Sequence, residues 1–186
     1  MVGNVSNDPR TLMLDRWWAR INLNQQAHYL AGLRFARINL ALGVPTVILT
    51  AAIGTSAFAS LIEAQPPTWR VAAGLLSILA TVLASLQTFL TLPQRVANHR
   101  NISAEFGSIR RALEELQAKL EAHSLAAAQA DEEVDKIKER IDKAEAGSPD
   151  VPKSVWERAY KEVKIGKSFL EQQSPTGEGS SKQGPS

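Results

Sequence analysis

The stretch INLALGVPTVILTAAIGTSAFASLI, from Ile38 to Ile62, contains no Asp, Glu, Lys, Arg or His, and the same is true of VAAGLLSILATVLASLQTFLTLPQ, from Val71 to Gln94. A bilayer core takes about 20 helical residues at a rise of about 1.5 Å each. Each run is long enough to cross one. The competing reading, two core helices of a soluble protein, needs chain to cover them on every side, and the rest of these 186 residues is too polar and charged for that. Only Glu63 to Arg70, with Pro66, Pro67 and Trp69, joins the two runs, so they must form an antiparallel hairpin. The pattern predicts an all-α membrane protein: a two-helix transmembrane hairpin with an amphipathic N-terminal helix and a long cytoplasmic helical extension.

Averages conceal this. Mean hydropathy lies just below zero and the charged fraction is 22%, figures ordinary for a soluble helical domain. Charge placement around the hairpin gives its orientation. Arg34 and Arg37 precede the first run, and Arg95, His99, Arg100, Arg110 and Arg111 follow the second, whereas the link has only Arg70, offset by Glu63. Basic flanks favour the cytoplasmic side, which predicts a multi-pass protein of the inner membrane with both termini inside. No signal peptide is seen, because the polar start from Met1 to Arg10 precedes no apolar segment with a cleavage site.

Working outward, residues 1–8 read as disordered, and Asp8 and Pro9 make a good N-cap and N1 pair for an amphipathic helix over 9–37. Trp17 and Trp18 on it suit either the headgroup level or helix packing. The first span is 38–62, with Pro45 expected to kink it. The external link is 63–70 and the second span 71–92. Beyond Pro93 a heptad pattern extends over 93–146, carried by Ile102, Phe106, Ile109, Leu113, Leu116 and Leu120 and then, past a middle weakened by alanines and His123, by Ala130, Val134, Ile137, Ile141 and Ala144. That seam serves either contact between subunits or packing within one. Counted backward, it passes through His99, Arg95, Leu92, Thr88, Ser85 and Thr81. A linker and short C-terminal helix occupy 147–171, and the Ser, Gly and Pro-rich tail 172–186 cannot bury enough surface to order.

Catalytic constellations are missing, so the chain does not read as an enzyme, and neither a cofactor nor a metal is expected. Gly166, Lys167 and Ser168 resemble the end of a phosphate-binding loop, but Lys161 stands where its first glycine belongs. His28, His99 and His123 are scattered, with no pair at metal-ligand spacing. Asp131, Glu132, Glu133 and Asp135 read as a solvated face. No clustered basic face marks a nucleic-acid partner. Cysteine is absent, which removes disulfides and thiolate metal sites. What the spans do offer is sidedness: at about 100° per residue, Ser77, Thr81, Ser85 and Thr88 share an arc opposite Leu75, Leu79, Val82 and Leu86, and the first span has a narrower equivalent in Thr46 and Thr50. Small and hydroxylated faces serve either close helix packing in lipid or the lining of an aqueous opening shared by several copies.

The stretch from Leu42 to Thr50 with Gly54, Thr55 and Ser56, followed by Leu86 to Leu90 and then Arg95, His99 and Arg111, resembles the SLATT domain, the SMODS and SLOG-associating two-transmembrane effector domain of prokaryotic conflict systems. The resemblance covers roughly Asp15 to Lys161, including Pro152 and Trp156. It implies a helical hairpin in the bilayer with a cytoplasmic extension. It further implies a homo-oligomeric, pore-forming or membrane-permeabilising effector of antiviral defence, triggered by a separate sensor protein or by the product of a nucleotide-signal synthase. The alternative is a non-conducting, membrane-anchored coiled-coil scaffold that recruits a cytoplasmic partner.

Overall fold

The computed structural model describes residues 9–62 and 67–173, with side chains described over 9–55 and 68–164. The expectations for 1–8, for 63–66 of the link and for the tail beyond 173 lie outside the described residues. Five helices follow in order: α1 Pro9–Ile62, α2 Pro67–Leu90, α3 Leu92–Glu121, α4 Ala127–Ala146 and α5 Lys153–Gln173. The approach helix and the first span are thus one helix of 54 residues, about 80 Å long at the α-helical rise. It continues through Pro45, beside which the Thr46 hydroxyl donates to the Leu42 carbonyl at 2.7 Å.

Side-chain pairs fix the helix directions. Gln117 donates to Asp15 at 2.9 Å, Arg110 to Asn22 at 3.2 Å and the Ser103 hydroxyl to the Gln25 carbonyl at 3.0 Å, so α3 runs antiparallel to α1. Ion pairs of 2.6 Å join Arg10 to Asp131 and Arg20 to Glu145, which sets α4 parallel to α1. α5 turns back again, with Arg34 donating to Ser154 at 2.9 Å and Gln26 to Glu162 at 2.7 Å. The lower half of α1 is therefore the centre of a four-helix bundle, and its upper half pairs with α2 alone.

Two apolar clusters hold the bundle. Leu14 and Ile21 of α1 meet Phe106, Ile109, Leu113 and Leu116 of α3 and Ile137, Ile141 and Ala144 of α4. Higher up, Ala27, Leu30 and Ala31 meet Val155 and Ala159 of α5. The heptad positions thus lie inside one chain: Phe106, Ile109 and Leu113 are fully buried, Leu116 nearly so, and Ile102 and Leu120 flank them partly buried. Trp17 and Trp18 pack on the same cluster, and Trp18 Nε1 donates to Glu114 at 2.9 Å. At about 1.5 Å per residue they sit about 30 Å below Ile38. The headgroup reading of these two residues is corrected accordingly.

Other expectations also change. The helix over 93–146 is two helices, broken at 122–126, where His123 adopts a left-handed φ of 51° and Ser124 donates to the Lys119 carbonyl at 3.0 Å. The break lets α4 fold back beside α3, with Arg140 bonded to Glu105 at 3.1 Å and to Ser108 at 2.9 Å. Helix continuity also fails at Thr91, a β-branched residue with φ of 46°, because Pro93 offers no N–H to the Phe89 carbonyl. The seam is therefore not a straight extension of the hydroxylated arc. α2 starts at Pro67, inside the expected link, and α5 reaches Gln173, inside the expected tail.

Above the bundle the exposure pattern inverts. The most apolar windows of the two long helical runs are only 6% and 11% buried. Val47, Ile48, Leu75, Ile78 and Phe89 are among many apolar side chains more than half exposed. Each would gain about 1.5–3 kcal/mol from leaving water, and together they outweigh the 5–15 kcal/mol by which a domain is stable. A lipid solvent resolves the conflict.

Leu113→Ala, which opens a cavity in a fully buried site, is expected to destabilise the bundle by about 2–5 kcal/mol. Leu75→Ala, on the lipid face, should leave bundle stability unchanged. Thermal unfolding of both variants in detergent, followed by helical circular dichroism, checks this; equal loss in the two would contradict the separation of bundle and spans.

Candidate functional site

The hairpin is joined along one stripe of α2. Ala73, Leu76, Ala80, Leu83, Gln87 and Leu90 are buried or half-buried there, while the residues between them face outward. The spacing of three and four residues is that of a helix-packing seam. Gln87 strengthens it by donating to the Asn39 carbonyl at 3.3 Å. Gly43 makes room for this, since a Cβ there would lie 2.9 Å from Gln87 Nε2.

Beside this seam the two helices leave an open cleft of about 940 Å³. Its polar lining comes from Ser77, Thr81, Ser85 and Thr88 of α2 and Thr50 of α1, and Ala80, Ala84, Gly54, Ile53 and Phe89 complete it. Five of the six hydroxyl residues singled out in the sequence are thus brought together and exposed. Thr46 is not among them; it is half-buried, one turn below Thr50. The three threonine hydroxyls of the cleft bond their own helices: Thr81 donates to the Ser77 carbonyl at 2.8 Å, Thr88 to Ala84 at 3.1 Å and Thr50 to Thr46 and Val47 at 3.0 Å. This habit lets a hydroxyl sit in a span without an unsatisfied donor. Its oxygen still accepts, so the cleft is mildly polar and uncharged. Gly54, on the small-residue face of the first span, joins the hydroxyl residues there, whereas Phe89, 84% exposed, had no place in the hydroxylated arc, because an aromatic within an apolar run carries no polarity signal.

Below the hairpin, α1 and α3 make a contact that spacing along the chain concealed. His28 and His99 lie with their Nδ1 atoms 3.0 Å apart, both 2% exposed, which corrects the reading of scattered histidines. At that distance one neutral ring donates its Nδ1–H to the bare Nδ1 of the other. Phe106 stacks on His28 and Phe35 on His99, with the Arg95 guanidinium 5.9 Å above the Phe35 ring. Burial, reinforced by the charge that a protonated His99 would carry, pushes the His28 pKa down to about 4. Burial and then Arg95 lower that of His99. Among the described residues no group of three or more His, Cys, Asp or Glu is placed to hold a metal ion. The pair is a neutral clasp between the two helices that enter and leave the bilayer.

The model of one protein family, described as SMODS and SLOG-associating 2TM effector domain family 4, matches residues 16–173, a range that takes in the hairpin and the bundle. No curated protein and no solved structure matches. With the two long apolar helices and the family together, the chain is an all-α membrane protein with two transmembrane helices.

The histidine contact gives a pH dependence of definite sign. Between pH 6.5 and about 4 the unfolded chain binds a proton at His28 that the folded chain does not, so stability rises with pH across that window. The contribution is complete above pH 6.5 and falls away as the pH drops toward 4, by about 2 kcal/mol at pH 5. Thermal melts in detergent at pH 7.5 and 5 should show wild type losing stability on acidification. The double variant His28→Phe and His99→Phe should lose less, and an equal acid sensitivity would place its source elsewhere.

Proposed function

We propose that this chain, which belongs to the SMODS and SLOG-associating 2TM effector domain family 4, assembles in the bilayer and opens an aqueous path across it. The family is linked to conflict systems, and a permeability change is an effector output that a two-span hairpin can give. The observation that carries the reading is the cleft. Ser77, Thr81, Ser85 and Thr88 face outward beside the hairpin seam, on a surface that lipid tails cannot hydrate. A second copy that shields this face from lipid satisfies it. Two spans cannot enclose a channel, so the path belongs to a homo-oligomer whose copies bring their clefts round a common axis.

The bundle bears on how the copies meet. Its heptad stripe is occupied within each chain, so assembly proceeds through the spans without opening the core. The same fact weighs against the rival reading, a scaffold that recruits a cytoplasmic partner through a free coiled coil. An uncharged lining gives little basis for selecting between ions. The chain reads as an inner-membrane protein with the bundle and both termini in the cytoplasm, supported by Arg34, Arg37, Arg95 and Arg100 at the bundle end of the spans against Arg70 at the other. A separate sensor or a nucleotide signal supplies the trigger.

Dye-loaded liposomes carrying the purified chain test the cleft. Wild type should release dye, whereas the double variant Thr81→Leu and Ser85→Leu should insert equally and release dye only at the background rate. Full release by the variant would reduce the hydroxylated face to packing; no release by wild type would favour the scaffold. Orientation is checked separately, and the absence of native cysteine makes the labelling clean. Thr68→Cys should react with an impermeant thiol reagent outside intact cells, and Lys164→Cys should not; the opposite pattern would invert the topology.

A further inference from the structure

We propose that a hollow at the foot of the first span binds the phosphate of an anionic phospholipid from the leaflet that the bundle faces. The hollow has a volume of about 490 Å³ and lies between α1 and α5. Its floor is apolar, formed by Leu30, Leu33, Ile38 and Val155, and its polar lining consists of Arg34, Arg37, Arg158 and Ser154. No acid lines it. Three arginines line the one hollow because Arg34 and Arg37 stand one turn apart on α1, and the packing of Val155 and Ala159 on Ala27, Leu30 and Ala31 brings Arg158 of α5 to the same groove.

Two of the three arginines, Arg34 and Arg37, make no ion pair among the described residues, and the third, Arg158, shares its charge with Glu162. Arg34 donates through one Nη to the Ser154 hydroxyl at 2.9 Å, a contact that fixes its plane and leaves its charge unpaired. Arg158 uses Nε on Glu162 at 2.8 Å, and its terminal nitrogens stay available. Arg37 makes no ion pair among the described residues. A hollow lined by three arginines, two of them without an ion pair among the described residues, and by no acid suits an anion, and planar guanidiniums match a phosphate's oxygens in pairs.

Position selects the source of that phosphate. Ile38 is both part of the floor and the first residue of the apolar run, so the hollow straddles the edge of the hydrocarbon. A free phosphate has no use for four apolar side chains, whereas a phospholipid presents glycerol and acyl carbons directly above its phosphate. Basic pockets at this depth are the usual seats of anionic headgroups. The occupant bridges α1 and α5, so lipid composition acts on the attachment of the last helix to the bundle, whether or not the cleft conducts.

The full chain, purified in a non-ionic detergent, is titrated with phosphatidylglycerol, phosphatidylcholine or inorganic phosphate while Tm and lipid adducts in native mass spectrometry are recorded. Phosphatidylglycerol should give a saturable rise in Tm and a retained adduct, and phosphatidylcholine neither. Arg37→Gln combined with Arg158→Gln changes only exposed side chains and should keep the helix content while losing the rise. Arg16→Gln combined with Lys138→Gln removes the same charge from remote exposed positions and should keep it. An equal rise with inorganic phosphate would make this a free-anion site and overturn the lipid assignment. An equal response to both lipids, or loss of the rise in both double variants, would overturn the site itself.

Discussion

The antiparallel packing of the lower half of α1 against α3 is the constraint on which everything else depends. These are the segments that lead into and out of the hairpin, and their contact places both ends of the hairpin on one side of the bilayer. It also creates the groove that α4 fills, by way of Ile137, Ile141 and Ala144, and leaves Ala27, Leu30 and Ala31 as the ledge on which α5 sits. Remove that contact and two connected spans remain, with no fixed relation to the bundle.

α1 belongs to two solvents at once. Below Arg37 most of its apolar side chains turn inward, and Leu14 and Ile21 are fully buried; above it Leu40, Val47 and Ile48 are 62–67% exposed. The helical period is the same in both halves, yet the apolar positions answer opposite demands. The hydroxyl groups of the spans follow the same logic. In water they would bond solvent; here Thr50, Thr81 and Thr88 bond their own backbone, so the spans tolerate a polar face that remains free to meet another one. The proposed assembly draws on that combination, a surface stable in lipid that a second copy would satisfy better.

Much of this was legible in the residues. The two uncharged runs gave the spans, the short proline-containing link gave the hairpin, and the heptad stripe picked out Phe106, Ile109, Leu113 and Leu116 as core-type positions. A stripe specifies that something covers it, not what. Whether the cover came from another subunit or from Leu14 and Ile21 of the same chain could not be read, because the partner lies some ninety positions away. The break at 122–126 had a faint signal in its alanines and His123, but an alanine-rich stretch is as good a helix as it is a weak seam, and tertiary packing decides. The histidine pair left no trace at all: 71 residues separate His28 from His99, and only the folded α1–α3 contact sets their rings together. In the spans the periodicity found the cleft residues but not the seat of Gln87 against Asn39 and Gly43, a fit that depends on the mutual rotation of two helices.

The continuity of α1 has a consequence for how the protein is made. As the chain leaves the ribosome, Leu14, Ile21 and Ala27 emerge first, yet their partner α3 is synthesised only after both spans. The apolar face of the first thirty residues must therefore wait, uncovered, through the whole of membrane insertion. Bundle assembly becomes a checkpoint on the hairpin: only a chain whose second span has crossed back brings α3 to the side where α1 is waiting. A chain that stalls with one span inserted displays an unpaired amphipathic helix, the kind of surface that chaperones and quality-control proteases recognise.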